Sequence, residues 1–198
     1  KKKTSSRQES SSIKPVARLV GTKNPLVIAH RGVSSEAPEN TLAAYSLAWE
    51  LKSDAIEIDV RRTKDSFFVC SHDNNLNRVS LNKKSISSML LSEITEVDIG
   101  SWKSKKYKDE RMPLLSKVLS TIPNGKKVFI EIKGALKEID QLISIVKKSK
   151  IKIRDCHFLS YIPANIKKIK KEFPDFKATL NTIPAFYNYE IEKIKRLI

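Results

Sequence analysis

The sequence is poor in cysteine, in histidine and in long apolar runs. Cys70 and Cys156 are its two cysteines, too few for a disulfide framework. Each sits in an apolar, strand-like run, which points to a buried free thiol rather than a bridge. No apolar stretch approaches the ~20 residues that a membrane-spanning helix needs. No secretory signal is legible, because the basic start K-K-K runs into S-S-R-Q-E-S-S-S and not into an apolar core. The chain does not begin with Met. Acidic residues are also scarce: 22 Asp and Glu face 38 Lys and Arg, a formal charge of +16.

That balance favours anionic partners: phosphate esters, nucleic acid or an anionic membrane. The excess is unevenly spread. Residues 1–25 hold seven basic residues against Glu9, and residues 147–198 hold thirteen against five acidic ones. A solvated, Lys-rich surface explains much of this equally well. The basic stretches have few aromatics and no nucleic-acid motif, which argues against a nucleic-acid partner. A basic anion-binding module stays open as a non-enzymatic reading.

With 198 residues the chain suits one domain with a real core. Residues 1–24 read as a basic Ser/Lys-rich tail, disordered over 1–13, and residues 25–198 as the domain. Strand runs are expected at 26–30, 55–60, 67–71, 127–133, 156–160 and 177–181. Helices are expected at 42–51, 114–119, 136–148 and 163–172, with a last one over 189–198. Strands alternating with helices mean parallel βα units. Residues 74–112 break that rhythm and read as an insertion after the third strand. The expected architecture is therefore α/β, of the TIM (β/α)8-barrel type. Six strands fall short of the eight a closed barrel requires, so an incomplete barrel of about six βα units is expected.

The chemistry-bearing residues cluster on those strands. Glu57 and Asp59 are two apart and so share one face of a strand, as do Glu131 and Lys133. Charges on the inner face of a core strand are costly unless paired or bound to metal. Three carboxylates from two strands make an all-oxygen site suited to Mg²⁺, Ca²⁺ or Mn²⁺ rather than Zn²⁺. His30 and His72, two of only three histidines, end strand runs; imidazoles titrate near neutrality and can divide a proton donation and a proton removal. Arg31 and Lys133 add positive charge for phosphate oxygens. Taken singly, a strand-end histidine is more often structural, an E-x-D can be a solvent-facing edge, and Arg31 or Lys133 can be a structural ion pair. The conjunction favours a metal-assisted phosphoryl site. His157, Trp49 and Trp102 are expected to be structural.

The motifs A-H-R-G (29–32), A-P-E-N-T (37–41), E-I-D-V-R-R-T-K-D (57–65), S-H-D-N-N-L-N-R (71–78), M-P-L-L (112–115) and E-I-K-G (131–134) resemble, in order, those of the glycerophosphodiester phosphodiesterase family. That family is part of the phosphatidylinositol-phospholipase-C-like barrel group. The resemblance runs from about Leu26 to Ser160 and more weakly to Asn181. It implies metal-dependent hydrolysis of a small glycerophosphodiester to glycerol 3-phosphate and an alcohol. His30 and His72 match the acid/base pair. Glu57, Asp59 and Glu131 match the ligands of one divalent cation, Mg²⁺ or Ca²⁺, with Mn²⁺ also suited. Arg31 and Lys133 match phosphate contacts. In that chemistry the substrate's own hydroxyl attacks phosphorus and water later opens a cyclic phosphate; direct attack by water is the variant. A phospholipase-D-like lyase of the same barrel group is the alternative enzyme.

There are departures from the family pattern. Arg78-Val79-Ser80 stands where R-T-T is common, a loop expected to lie away from the reacting atoms. Ser160-Tyr161 replaces S-F, and the last two βα units with their Trp-bearing strand have no counterpart, as in a segment of a longer protein or a decaying copy. Oligomeric state is not legible. The compartment stays open between export, with a signal already removed, and the cytoplasm.

Overall fold

Alternating apolar and acidic residues over Ala55–Arg62 form the longest strand, β2, and the rest of the architecture is arranged around it. A computed structural model describes residues 25–182. The tail over 1–24 and the helix expected at 189–198 lie outside the described residues. The strands are β1 (Ile28–Ala29), β2 (Ala55–Arg62), β3 (Phe68–Cys70), β4 (Lys127–Ile132), β5 (Cys156–Ser160) and β6 (Lys177–Leu180). The helices are α1 (Leu42–Glu50), α2 (Leu91–Ile94), α3 (Leu115–Thr121), α4 (Ile139–Lys148) and α5 (Pro163–Glu172). Neighbouring strands run in the order β1-β2-β4-β5-β6, all parallel. The order follows the chain, as in the wall of a barrel. Among the described residues the sheet does not close, in keeping with an incomplete barrel.

One expectation needs correction. The third apolar run is not a parallel βα strand: β3 pairs antiparallel with β2, Val60 opposite Cys70. Only residues 63–67 join the two strands, and a parallel crossover needs a dozen or more residues. The Thr63 hydroxyl ties the turn by accepting from the Phe67 N–H at 2.9 Å, and Ser66 takes a left-handed φ of 73°. The parallel layer therefore has five strands rather than six.

The helices cover one face of the sheet. Ile56, Ile58 and Val60 of β2 join Ile130, Phe158, Tyr45, Leu115, Val118, Leu142, Ile143 and Ile169 in the main core. The alternate residues Glu57 and Asp59 face away from that layer, yet both are buried. Thr41 starts α1, its hydroxyl accepting from the Ala44 N–H at 3.2 Å. α4 begins at Ile139, later than the apolar spacing suggested, and buries Ile139, Leu142, Ile143 and Val146 at helical spacing. Residues 74–112 hold α2 and two short 3-10 turns. They pack on their own cluster, with Leu76, Ile86, Met89, Ile94, Ile99 and Met112 around Val69 of β3. Both cysteines are free and buried.

Candidate active site

The parallel register of β2 and β4 sets Asp59 beside Glu131, while the two-residue period of β2 adds Glu57. Oxygens of the three carboxylates lie within 4.8 Å of one another, and all three side chains are buried. Three negative charges in one buried pocket demand compensation. Lys133 provides part of it: its ammonium lies 3.0 Å from Asp59 Oδ1 and 2.5 Å from Glu131 Oε1. Arg31 adds to it, its Nε 3.2 Å from Asp59 Oδ2 and its backbone N–H donating to Glu57 Oε2 at 3.0 Å. Arg31 reaches both because its φ of 57° is left-handed. Gly32 follows at φ 77°, so close to α1 that a Cβ would stand 2.6 Å from the Ala44 carbonyl carbon.

Three carboxylates against two basic side chains leave one negative charge uncompensated. It is felt most at Glu57, where burial and then the Asp59 charge push the carboxyl up to about 8. Glu57 Oε1 is buried without a hydrogen-bond partner. An all-oxygen, anionic donor set with an orphaned oxygen fits a hard divalent cation. Glu57, Asp59 and Glu131 are the residues that could hold it. With such an ion the cluster would carry one net positive charge, matched to a phosphodiester anion.

The two histidines sit on different walls. His30 follows β1 with its side chain 67% exposed, and its Nε2 is 3.9 Å from Glu57 Oε2. Partial burial, then the Arg31 charge, lowers its pKa. His72 follows β3. Its Nδ1 is 2.7 Å from Asp73 Oδ1, and its carbonyl accepts from Arg61 Nε at 2.8 Å. Ser71 N–H donates to the Asp59 backbone carbonyl at 3.0 Å, so the loop is tied to the main chain of β2 at Asp59. Arg31 and Lys133, expected to meet phosphate, both contact the acidic cluster.

Two residues of the A-P-E-N-T motif, given no individual part by the sequence, join the cluster. Asn40 takes φ 55° and donates from Nδ2 to Asp59 Oδ2 at 2.9 Å. Its Oδ1 accepts from the Asp59 N–H at 3.2 Å and from the Tyr45 hydroxyl at 2.8 Å. Glu39 accepts from Arg31 and from both terminal nitrogens of Arg78. Arg78 thus lies closer to the reacting groups than its loop position suggested. Neither part has a local sequence signal, because both depend on contacts across the fold.

The model of the Glycerophosphoryl diester phosphodiesterase family matches residues 30–179, which takes in every one of these groups. The chain belongs to the glycerophosphoryl diester phosphodiesterase family. A glycerophosphodiester phosphodiesterase of Caldanaerobacter subterraneus is 36% identical over 162 residues, 78% of this chain and 65% of that protein. Among solved structures, an Oleispira antarctica phosphodiesterase in complex with the product sn-glycerol-3-phosphate superposes with a TM-score of 0.78. It is 31% identical, over 87% of this chain and 72% of that one. Human Lysophospholipase D GDPD1 is 33% identical over 126 residues, 59% of this chain and 40% of that protein. The chain spans between 43% and 65% of the length of three curated relatives it matches.

Proposed function

We propose that the site hydrolyses glycerophosphodiesters to glycerol 3-phosphate and an alcohol, with one divalent cation on Glu57, Asp59 and Glu131 and with His30 and His72 sharing the proton transfers. The observation that carries this reading is the buried carboxylate trio with its orphaned Glu57 Oε1, inside the family-matched segment. Mg²⁺ and Ca²⁺ are the preferred ions, Mn²⁺ the third choice. When bound, the cation neutralises charge on the phosphoryl oxygens and lowers the pKa of a hydroxyl it touches. Arg31 and Lys133 hold the phosphate and pair with Asp59 and Glu131. His30, beside Glu57, takes the proton of the substrate hydroxyl that attacks phosphorus, and water then opens the resulting cyclic phosphate to glycerol 3-phosphate. His72, its Nδ1 held 2.7 Å from Asp73 Oδ1, protonates the leaving alcohol.

The test is release of glycerol 3-phosphate from glycerophosphocholine by the 198-residue chain, with Mg²⁺, with Ca²⁺ and in EDTA. Release that needs the cation and is lost in H30A and in H72A supports the reading. No release by this chain, nor by a longer form of the protein, refutes it.

One observation favours a lipid-bearing substrate as a second reading. Fully exposed Leu81, with Val79, Val97 and Trp102, lines a groove of about 630 Å³. Arg78 borders both that groove and the recess at His72. Faster cleavage of lysophosphatidylcholine than of glycerophosphocholine separates this reading from the first.

A further inference from the structure

Between the His30 wall and the His72 wall runs a continuous chain of charge-assisted hydrogen bonds. His72 Nδ1 meets Asp73 Oδ1 at 2.7 Å. Asp73 Oδ2 accepts from Arg78 Nε at 2.7 Å. Arg78 then forks onto Glu39, Nη1 to Oε2 at 2.6 Å and Nη2 to Oε1 at 2.8 Å. Glu39 Oε1 also accepts from Arg31 Nη1 at 3.0 Å, and Arg31 Nε lies against Asp59. Every link joins a full charge to its opposite or to an imidazole, and such links are the strong ones.

We infer that Glu39 and Arg78 are positioning residues: the Arg78 fork clamps Asp73 so that Asp73 holds the His72 ring in one orientation and one tautomer, and Glu39 keys that clamp to Arg31 and hence to the carboxylate cluster. The inference rests on the proposed role of His72. The geometry suits the task. A guanidinium engaged on its Nε edge and at both terminal nitrogens cannot swing without breaking three bonds. The Glu39 carboxylate is largely enclosed, its side chain 11% exposed. Burial raises its pKa, but the Arg78 hydrogen bond and charge outweigh burial and hold it low. The spacing explains why their pairing is not legible in the sequence: Glu39 and Arg78 are 39 positions apart. An imidazole with Nδ1–H committed to a carboxylate keeps Nε2 for substrate, the arrangement by which a carboxylate fixes a catalytic histidine.

The experiment compares the wild-type chain with Arg78→Ala, Arg78→Lys and Glu39→Gln. The Arg78 side chain is 44% exposed, so its replacement leaves the fold intact, which circular dichroism checks. The expected result with glycerophosphocholine and Mg²⁺ is a fall in kcat of about 10- to 100-fold for R78A, the scale of a misplaced catalytic group. KM and Mg²⁺ affinity should stay within about twofold, because the fork touches no carboxylate of the trio. Lys has one point of charge in place of a fork, so R78K recovers kcat only in part. E39Q, which keeps shape but halves the fork's charge pairing, falls between. Independently of turnover, ¹⁵N spectra of the neutral His72 ring should show the Nδ1–H tautomer in the wild type and a mixture in R78A. Unchanged kcat together with an unchanged tautomer in R78A overturns the inference. An inactive wild type refutes the proposed function instead, and the tautomer readout then still decides whether Arg78 orients His72.

Discussion

Asn40 is the residue whose replacement should be felt most for its size. Its amide serves three partners: the Asp59 carboxylate, the Asp59 N–H and the Tyr45 hydroxyl. Asp59 and Tyr45 are fully buried, and Asn40 nearly so. Asn40→Ala removes one donor and one acceptor together. The Asp59 N–H is then a buried donor without a partner, at a cost of about 1–3 kcal/mol, while the Tyr45 hydroxyl keeps the Cys70 thiol. Asp59 Oδ2 keeps Arg31 Nε, 3.2 Å away. Alanine at φ 55° adds about 1–2 kcal/mol of left-handed strain that Asn largely escapes. The sum is roughly 2–5 kcal/mol, a large share of the ~5–15 kcal/mol that holds a domain folded. Asn40→Gly separates the two contributions. It loses the same hydrogen bonds without the strain, but returns about 0.4–1 kcal/mol through its looser unfolded chain. N40G should therefore be as stable as N40A or more stable by up to about 1.6 kcal/mol. Urea denaturation of the three proteins at one pH, with m compared throughout, is the assay. A loss in N40A under about 1 kcal/mol would refute the hydrogen-bond argument, and N40A more stable than N40G would refute the backbone one.

Binding of Mg²⁺ or Ca²⁺ should raise the thermal midpoint, by the equivalent of about 2.7 kcal/mol at a hundred times the dissociation constant. Glu57→Gln should abolish most of that rise while leaving the cation-free protein at least as stable as wild type at pH 8, because it replaces a buried carboxylate whose pKa is pushed up to about 8. An equal rise in both proteins would remove Glu57 from the ligand set. His157 predicts a pH effect of definite sign: burial, then the Lys177 charge, lowers its pKa in the folded chain. The unfolded chain then binds more protons below the ordinary histidine value of about 6.5, so stability is lost as pH falls through that region. His157→Gln should flatten this part of the cation-free stability profile, and an unchanged slope in denaturation series from pH 7.5 to 5 would count against it.

The elements with strong periodic signals were legible from sequence alone. α5 over Pro163–Glu172 and β5 over Cys156–Ser160 lie where the apolar spacing put them. So does the shared face of Glu57 and Asp59, since that follows from the two-residue period of any strand. The direction of β3 was not legible in the apolar run itself. The information lay in the shortness of the Thr63–Phe67 connection, which admits a hairpin and excludes a crossover. β1 shrank to Ile28–Ala29 because the chain turns at Arg31 and Gly32, both with positive φ. Asn40, Glu39 and Arg78 lay within the quoted motifs, but their parts were not legible for another reason. Each is a common polar residue whose part depends on partners brought close only by the fold.

The antiparallel return of β3 bears on the order in which the site comes together. Glu57, Asp59, Arg61, His72 and Asp73 belong to one continuous stretch, residues 57–73, folded back on itself by a short turn. Hairpins of this kind close in microseconds, with little loop entropy to overcome. Two of the three candidate cation ligands and one of the two imidazoles are thus registered against each other by a local event. Glu131 and Lys133 must await the pairing of β2 with β4, across some seventy residues of chain. Half of the candidate site is thus set by contacts local in sequence, and the long-range pairing of β2 with β4 supplies the other half.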